Sequence, residues 1–330
     1  MQRRDAGRSG LRGLRMAAGL VLCVGAAGAA LAAYPERPVR LVSGFGPGSA
    51  TDNVTRIVAD ALSKELGQQV VVESRAGAGG TISASYVAGA APDGYTLLMG
   101  TNSAMSTGPA GAVANVGYDP TKDFTPVGKV ATVGFMLVGN NDLKQADARA
   151  LFADIKASAK DYNCAFGNTN GLVFCSLLDK EMGNGMTHVP YKSTPPALQD
   201  LIGGRVNIMF IDLPTGAPRA QQGQVRAYAV TSEKRYAGLK DVPTMVESGL
   251  KDFPPNYGWW GVYGPPGMSA DVQKTLSTAL ANVLAQPSVQ QSLERLGVEV
   301  ASSGPEELHT FHVQDYTRWQ AFIKDFDIRP

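Results

Sequence analysis

Histidine is nearly missing from this chain: His188, His309 and His312 are the only three in 330 residues. Cysteine is as scarce, with Cys23, Cys164 and Cys175. These shortages remove most of the side chains that metal sites and nucleophilic catalysis require. His309 and His312 have a spacing that one helix face could offer a metal, but no third ligand stands at a diagnostic distance, so no metal site is expected. There is no Gly-x-Ser-x-Gly elbow, and no pair of carboxylates stands out for acid–base work. Cys164 or Cys175 with His188 is the one conceivable nucleophile-and-base set, and a structural role suits those cysteines better. An excess of charge is missing too: 30 Lys and Arg face 29 Asp and Glu, which leaves a nucleic-acid partner unsupported.

The chain also lacks long hydrophobic runs except near its start. Arg3, Arg4, Arg8, Arg12 and Arg15 precede an apolar stretch from Met16 to Ala29, followed by Ala30-Leu31-Ala32. That is the three-part layout of a signal peptide over residues 1–32, with cleavage after Ala32. The stretch is short and rich in Gly and Ala, unlike a membrane span. Leu22 stands before Cys23 where a lipid-anchored protein wants a small residue, and no hydrophobic residue follows Arg3-Arg4 as a twin-arginine signal requires. Export to the periplasm by the general route is expected. Cleavage takes Lys and Arg from 30 to 25 and Asp and Glu from 29 to 28, a net charge of −3. Only Cys164 and Cys175 remain, an even pair in a compartment that permits disulfides. A bridge and two buried thiols are both open.

What the chain has in abundance is turn residues, 38 Gly and 20 Pro, set between short apolar segments. From Arg37 the segments RPVRLVSGF, TDNVTRIVADALSKELG, QQVVVESR, TISASYVAGAA and YTLLMGT read as strand, helix, strand, helix, strand. After a crossing segment, FTPVGKVATVGFMLVG, the same grammar returns. YNCAFGN, MTHVPYK, RVNIMFID and VRAYAVTS are strands, with GLVFCSLLDKEMG and PPALQDLIGG as helices between them. YGWWGVYGPPG reads as a second crossing strand, and three C-terminal helices with one short strand, VEVA, complete the chain. Such βαβ repetition predicts an α/β protein of two lobes, each a mostly parallel sheet flanked by helices, with two crossing strands as a hinge. Lobe one would comprise residues 34–136 and 259–330, and lobe two residues 137–258. In open α/β sheets the ligand sits at the carboxyl ends of the strands, where helix N-termini point.

Two strand-to-helix turns stand at those ends. The first, Phe45-Gly46-Pro47-Gly48-Ser49-Ala50-Thr51-Asp52, fails both the dinucleotide fingerprint and the P-loop pattern. It offers instead bare backbone leading into a helix start, where unpaired N–H groups and the positive end of the dipole favour an anion. The second, Gly167-Asn168-Thr169-Asn170-Gly171, adds side-chain donors. Tyr191 closes a strand on the same side with a hydroxyl suited to a carboxylate. Asp212, after NIMFI, either closes the cleft floor or caps the next helix. Trp259 and Trp260 read first as packing at the crossing. No cofactor is expected.

Taken together, YPERPVRLV, GPGSATD with Arg56 beyond it, LGQQVVVESRAGAGG, APDGYTLLMG, HVPYKSTPPALQDLIGGRV, RAYAVTSEKRY, DVPTMVESG and WWGVYGPPG resemble the periplasmic solute-binding receptors of tripartite tricarboxylate transporters, the Bug-type family, over essentially the whole mature chain. The resemblance implies a type II periplasmic binding protein fold that closes over an organic carboxylate and passes it to membrane permease subunits. It implies that Gly46 to Asp52 hold one carboxylate and Gly167 to Gly171 the other end, joined by Thr101, Asn102, Ser103 and Tyr191. The expected ligand is a mono- or dicarboxylate, aromatic acids included, and the expected state a monomer. The chain departs from the family's usual pattern at Gly48-Ser49, where two glycines are common, at Ser193 after Tyr191-Lys192, and at Asn168-Thr169-Asn170, where small residues are common. Competing readings are a secreted hydrolase using the same cleft, and a ligand-sensing receptor that docks to a signalling partner. The cradle idea requires free amides at the two helix starts.

Overall fold

A computed structural model describes residues 34–251, 253 and 257–328. The signal peptide read over residues 1–32, with Cys23, lies outside the described residues.

The first sheet grows from β1 (Val39–Ser43), which pairs in parallel with β2 (Val70–Ser74) and β3 (Thr96–Thr101). β3 is buried along its whole length, as a strand covered on both faces must be, and its TLLMG run is correspondingly apolar. Between β1 and β2 runs α1 (Ala50–Leu66), started by the Ser49 cap and stopped by Gly67 at φ 66°, a left-handed value that glycine adopts without a Cβ clash. α2 (Thr81–Ala88) joins β2 to β3.

β4 (Thr125–Gly139) is the long crossing strand. Its residues up to Gly134 pair antiparallel with β9 (Tyr257–Gly264), and Thr132, Ala131 and Lys129 also face β10 (Glu299–Ser303). From Phe135 onward the same strand pairs with β7 (Ile208–Asp212) and, from Met136, with β8 (Arg226–Val230). One strand therefore belongs to two sheets and changes sheet between Gly134 and Phe135. β9 enters at that level, where Tyr257 faces Gly134, and runs back between β3 and β4. The second sheet holds β5 (Asn163–Phe166) in parallel between β6 (Thr187–Pro190) and β7. Its helices are α3 (Ala148–Ser158), α4 (Thr169–Glu181), α5 (Thr194–Ile202) and α6 (Leu213–Gln221). The parallel part of each sheet is thus a trio of strands, with antiparallel neighbours supplied by the crossing region. α7 (Ala270–Ala285), α8 (Pro287–Arg295) and α9 (Pro305–Asp325) return to the first sheet.

Two elements exceed the sequence reading. α3 is capped by Asp147, whose carboxylate accepts from the Ala150 amide at 2.9 Å, a start signal inside a stretch otherwise read as connection. Ser103–Ala112 forms wide helical turns although it contains Pro109 and is built of small residues, a composition that reads as loop. Its conformation comes from contacts with α4 and α9, not from local preference.

Phe135, just past the change of sheet, packs edge-on against Phe174 of α4 at 5.3 Å between ring centres, and Phe174 meets Phe210 and Phe253. The junction therefore belongs to one apolar core that runs from Leu41 and Leu97 of the first sheet to Phe210 of the second. Cys164 on β5 and Cys175 on α4 are bridged, with their α-carbons 5.9 Å apart. The bridge closes a short loop, 11 residues of separation, and the chain entropy it removes from the unfolded ensemble stabilises the fold by about 2–3 kcal/mol. Thermal melts with and without a strong reductant should show a lower midpoint when the bridge is opened; coincident melts would mean that the bridge contributes nothing.

Candidate functional site

The first helix start is shaped by close backbone approach. A Cβ at Gly44 would lie 2.6 Å from Ser83 Oγ and 2.7 Å from the Gly80 α-carbon, so only glycine lets the turn leave β1 here. Ser49 Oγ accepts the Asp52 amide at 3.2 Å, satisfying the third amide of α1. The Asp52 carboxylate accepts the Gly48 amide at 3.1 Å and pairs with Arg56 Nε at 3.1 Å. Among the described residues, the amides of Ala50 and Thr51, the first two of the helix, have no hydrogen-bond partner. The Thr51 hydroxyl accepts from Trp260 Nε1 at 3.0 Å, which anchors the helix start to β9.

The second start is partly occupied by the chain itself. Asn168 caps α4 by accepting the Gly171 amide at 2.8 Å. The Thr169 amide donates to Ser103 Oγ at 3.0 Å, and the Ser103 and Thr169 hydroxyls lie 2.7 Å apart. The Thr107 hydroxyl bonds to the Thr169 hydroxyl and donates to Asn170 Oδ1 at 3.3 Å. These buried hydroxyls tie the 103–112 turns to α4. The free-amide expectation therefore holds for Ala50, Thr51 and, among the described residues, Asn170, but not for Gly48, Asp52, Thr169 and Gly171. Capping accounts for Asp52 and Gly171, the third amide of each helix, while the Asp52 carboxylate takes Gly48 and the distant Ser103 takes Thr169, the first amide of α4. Gly167 is needed at the turn before α4, since a Cβ there would lie 2.3 Å from the backbone of both Ser193 and Thr194.

Between the two starts lies a small cavity of about 30 Å³, room for little more than a water molecule. Phe45, Ser49, Ala50, Thr51, Thr101, Asn102, Ser103, Asn168, Asn170 and Asp212 line it. Gly46, Pro47, Gly48, Asp52, Gly167, Thr169 and Gly171 stand behind that lining and shape the turns. Tyr191 does not line this cavity: its hydroxyl donates to Asp200 Oδ2 at 2.7 Å, and it borders a second groove of about 600 Å³. That groove runs between Ala78 and Gly79 on one side and Asn168, Thr169 and His188 on the other, and it shares Asn168 with the cavity.

Several lining residues were not foreseen as contacts. Val133, Phe135, Thr194, Gly258, Trp259 and Trp260 complete the wall. The aromatic pair at the crossing carried a signal in the sequence. Asp315 of α9 carried none: its Oδ2 accepts Asn102 Nδ2 at 2.7 Å and Trp259 Nε1 at 2.8 Å, and its Oδ1 accepts from Arg318 at 2.7 Å. It is 213 residues from Asn102 in sequence, a separation that no local pattern bridges.

Among the described residues no lysine, arginine or histidine lines the cavity. Asp212 caps α6 by accepting the Thr215 amide at 3.0 Å, and also lines the cavity, so both roles expected for it coexist. Burial pushes its pKa up from 3.8, against the lowering effect of the Thr215 contacts. Burial likewise holds His312 and His188 below the usual imidazole range; His312 Nε2 sits 2.8 Å from the Met105 carbonyl under the Trp259 and Tyr263 rings. Both imidazoles are thus kept neutral near pH 7. Among the described residues no group of three or more His, Cys, Asp or Glu side chains is placed to hold a metal. The bridge removes Cys164 and Cys175 as nucleophiles.

Two α/β sheets that share a crossing strand and meet at a small cavity, lined by hydroxyls, amides and aromatic rings at the carboxyl ends of β1, β3 and β7, describe a two-lobed solute-binding protein. The chain belongs to the family described as tripartite tricarboxylate transporter family receptor, TctC, whose sequence pattern matches residues 54–328. It is similar to the periplasmic binding protein BugD, with 35% identity and a TM-score of 0.85 over 90% of this chain and 99% of that one. Rpa4515 of R. palustris, solved with adipate, is 31% identical with a TM-score of 0.85 over 90% of this chain and 99% of its own. MatC of Rhodopseudomonas palustris, solved with malate, is 31% identical with a TM-score of 0.81 over 87% and 99%. The chain is accordingly a solute-binding receptor of a transport system and not an enzyme. Among the described residues no helix is long and apolar enough to cross a membrane.

Proposed function

We propose that this receptor captures a small organic carboxylate, a mono- or dicarboxylate with aromatic acids included, in the cleft between residues 34–136 with 259–330 and residues 137–258. The lobes move about the crossing region as a hinge, and the shut form is held by the Ser103, Thr107 and Thr169 hydroxyls. The observation that carries the reading is the convergence of two helix starts, with open amides at Ala50, Thr51 and Asn170 among the described residues, on one small cavity. Uncharged donors and the positive ends of helix dipoles suit a carboxylate that must be released again, since no cationic side chain holds it. Two relatives were solved with carboxylates, adipate and malate. In this reading the protein works as a monomer in the periplasm, after loss of residues 1–32, and delivers its ligand to membrane permease subunits.

Calorimetric titration of the mature protein with aliphatic and aromatic acids tests the reading. A bound acid at a hundred times its Kd should raise unfolding stability by about 2.7 kcal/mol and alter the emission of Trp259 and Trp260. Binding of neutral amides or sugars, with silence across all the acids, would overturn it.

A further inference from the structure

The glycine turn between β2 and α2 does not line the cavity, yet its backbone is shaped for a close approach. Ala78, Gly79 and Gly80 follow one another at φ 46°, 64° and 91°, a left-handed run that an alanine adopts only under constraint. The turn is fixed from its own side of the molecule. The Thr81 hydroxyl donates to the Ala78 carbonyl at 2.9 Å, the Ser83 hydroxyl to the Gly80 carbonyl at 2.7 Å and the Ser103 hydroxyl to the Gly79 carbonyl at 2.9 Å. Against it stands Thr169, the first residue of α4 and 4% exposed. The Thr169 amide donates to Ser103 Oγ at 3.0 Å, and its hydroxyl donates to the Ser103 carbonyl at 3.2 Å and bonds to the Thr107 hydroxyl. These bonds and the stiffness of a β-branched side chain hold the Thr169 methyl group against Gly79. A Cβ at Gly79 would lie 2.6 Å from Thr169 Cγ2 and 3.1 Å from Ser103 Oγ. Neither side gives way locally, so the relief for a methyl group at position 79 is a swing of the second lobe about the crossing strands.

Resting on the hinge and carboxylate reading above, we propose that the bare α-carbon of Gly79, with Ser103 and Thr107, forms a seat for the Thr169 side chain, and that this seat sets how far the lobes shut. Gly79 and Thr169 are then positioning residues. Neither lines the cavity, but the seat brings Asn168 and Asn170 of the α4 start up to Ala50 and Thr51 of α1.

Hydrogen exchange and calorimetry on the mature protein test the seat, with malate and adipate as the acids. Gly67→Ala is the control, because Gly67 has a similar left-handed backbone, φ 66°, and a Cβ there meets no described atom within 4 Å. In Gly79→Ala the Thr169 amide, read with and without acid, should exchange about tenfold faster than in wild type, while the Gly171 amide, bonded within its own helix cap, should keep its rate. Affinity for the better-bound acid should fall about tenfold in Gly79→Ala and stay within about twofold of wild type in Gly67→Ala. Adding Thr169→Ser removes the methyl group that meets the new Cβ, and should bring exchange and affinity back to within about threefold of wild type. A loss caused by backbone strain at position 79 alone would not be rescued in this way. If Gly79→Ala does not fold, the double variant still decides, since recovery of the fold supports the seat and failure to recover it does not. Equal exchange and affinity in Gly79→Ala and Gly67→Ala, or a double variant no better than Gly79→Ala, would overturn this inference and leave the carboxylate reading standing. Silence of the wild type to every acid would overturn the carboxylate reading, and the exchange rates then decide the seat by themselves.

Discussion

Asp315→Ala should be among the most damaging single substitutions in this protein, although Asp315 does not line the cavity. It leaves the Asn102 Nδ2 and Trp259 Nε1 donors buried without an acceptor, each at a cost of about 1–3 kcal/mol, so stability should fall by about 2–6 kcal/mol. The Arg318 contact adds little to this, because that side chain is 57% exposed and the pair is screened by water. Asp315→Asn keeps one acceptor and should cost less. Urea unfolding reads the difference as a shift of the midpoint at unchanged slope. Ligand affinity should fall with Asp315→Ala as well, because the Asn102 amide is no longer held in one orientation and Trp259 loses its tether. Midpoints and affinities equal to wild type in the alanine variant would show that this network holds neither the fold nor the cavity wall.

The other large effect belongs to a single hydrogen atom. Gly167→Ala places a methyl group 2.3 Å from the backbone carbon of Ser193 and the backbone nitrogen of Thr194, and backbone cannot swing aside as the end of a flexible side chain does. Overpacking of this kind costs about 1–3 kcal/mol at ordinary core sites, and the two-sided backbone clash puts this case at the upper end. The turn before α4 must then move away from the 193–194 segment, carrying Asn168 and Asn170 with it. Affinity for the carboxylate ligand should drop at least tenfold, with a lower melting point. Gly89→Ala is the control, since its Cβ would meet nothing closer than 3.8 Å and its backbone is not left-handed. That variant should lie within about 0.5 kcal/mol of wild type. If Gly167→Ala bound ligand and melted like Gly89→Ala, the tight approach of the two turns would have no role in shaping the site.

Much of the architecture was legible in the chain because it rests on local rules. Strand β3 shows as an unbroken apolar run, α1 as a 3.6-residue stripe between Ser49 and Gly67, and the repeated βαβ order implies parallel sheets on two lobes. The two helix starts were also local features, which is why Ser49, Ala50, Thr51, Asn168 and Asn170 could be named as lining residues. Tyr191 shows the limit of that reasoning. A strand end predicts a side chain in the cleft, but where a terminal side chain goes depends on the partners it meets, and the Tyr191 hydroxyl meets Asp200 while its residue borders a groove next to the cavity.

Residue order alone therefore settles where most strands and helices start, the Ser103–Ala112 turns excepted, and which turns are rich in glycine, since capping, periodicity and glycine geometry act within a few positions of the chain. It says nothing about which amides stay free, for that depended on Ser103 arriving at Thr169 from 66 positions away. Nor does it disclose that Asp315 orients Asn102, or that Asn102 and Asp212 line the same small space. Hydrogen bonds between distant segments form only after the sheets have packed, and they decide which polar groups are left for a ligand to satisfy.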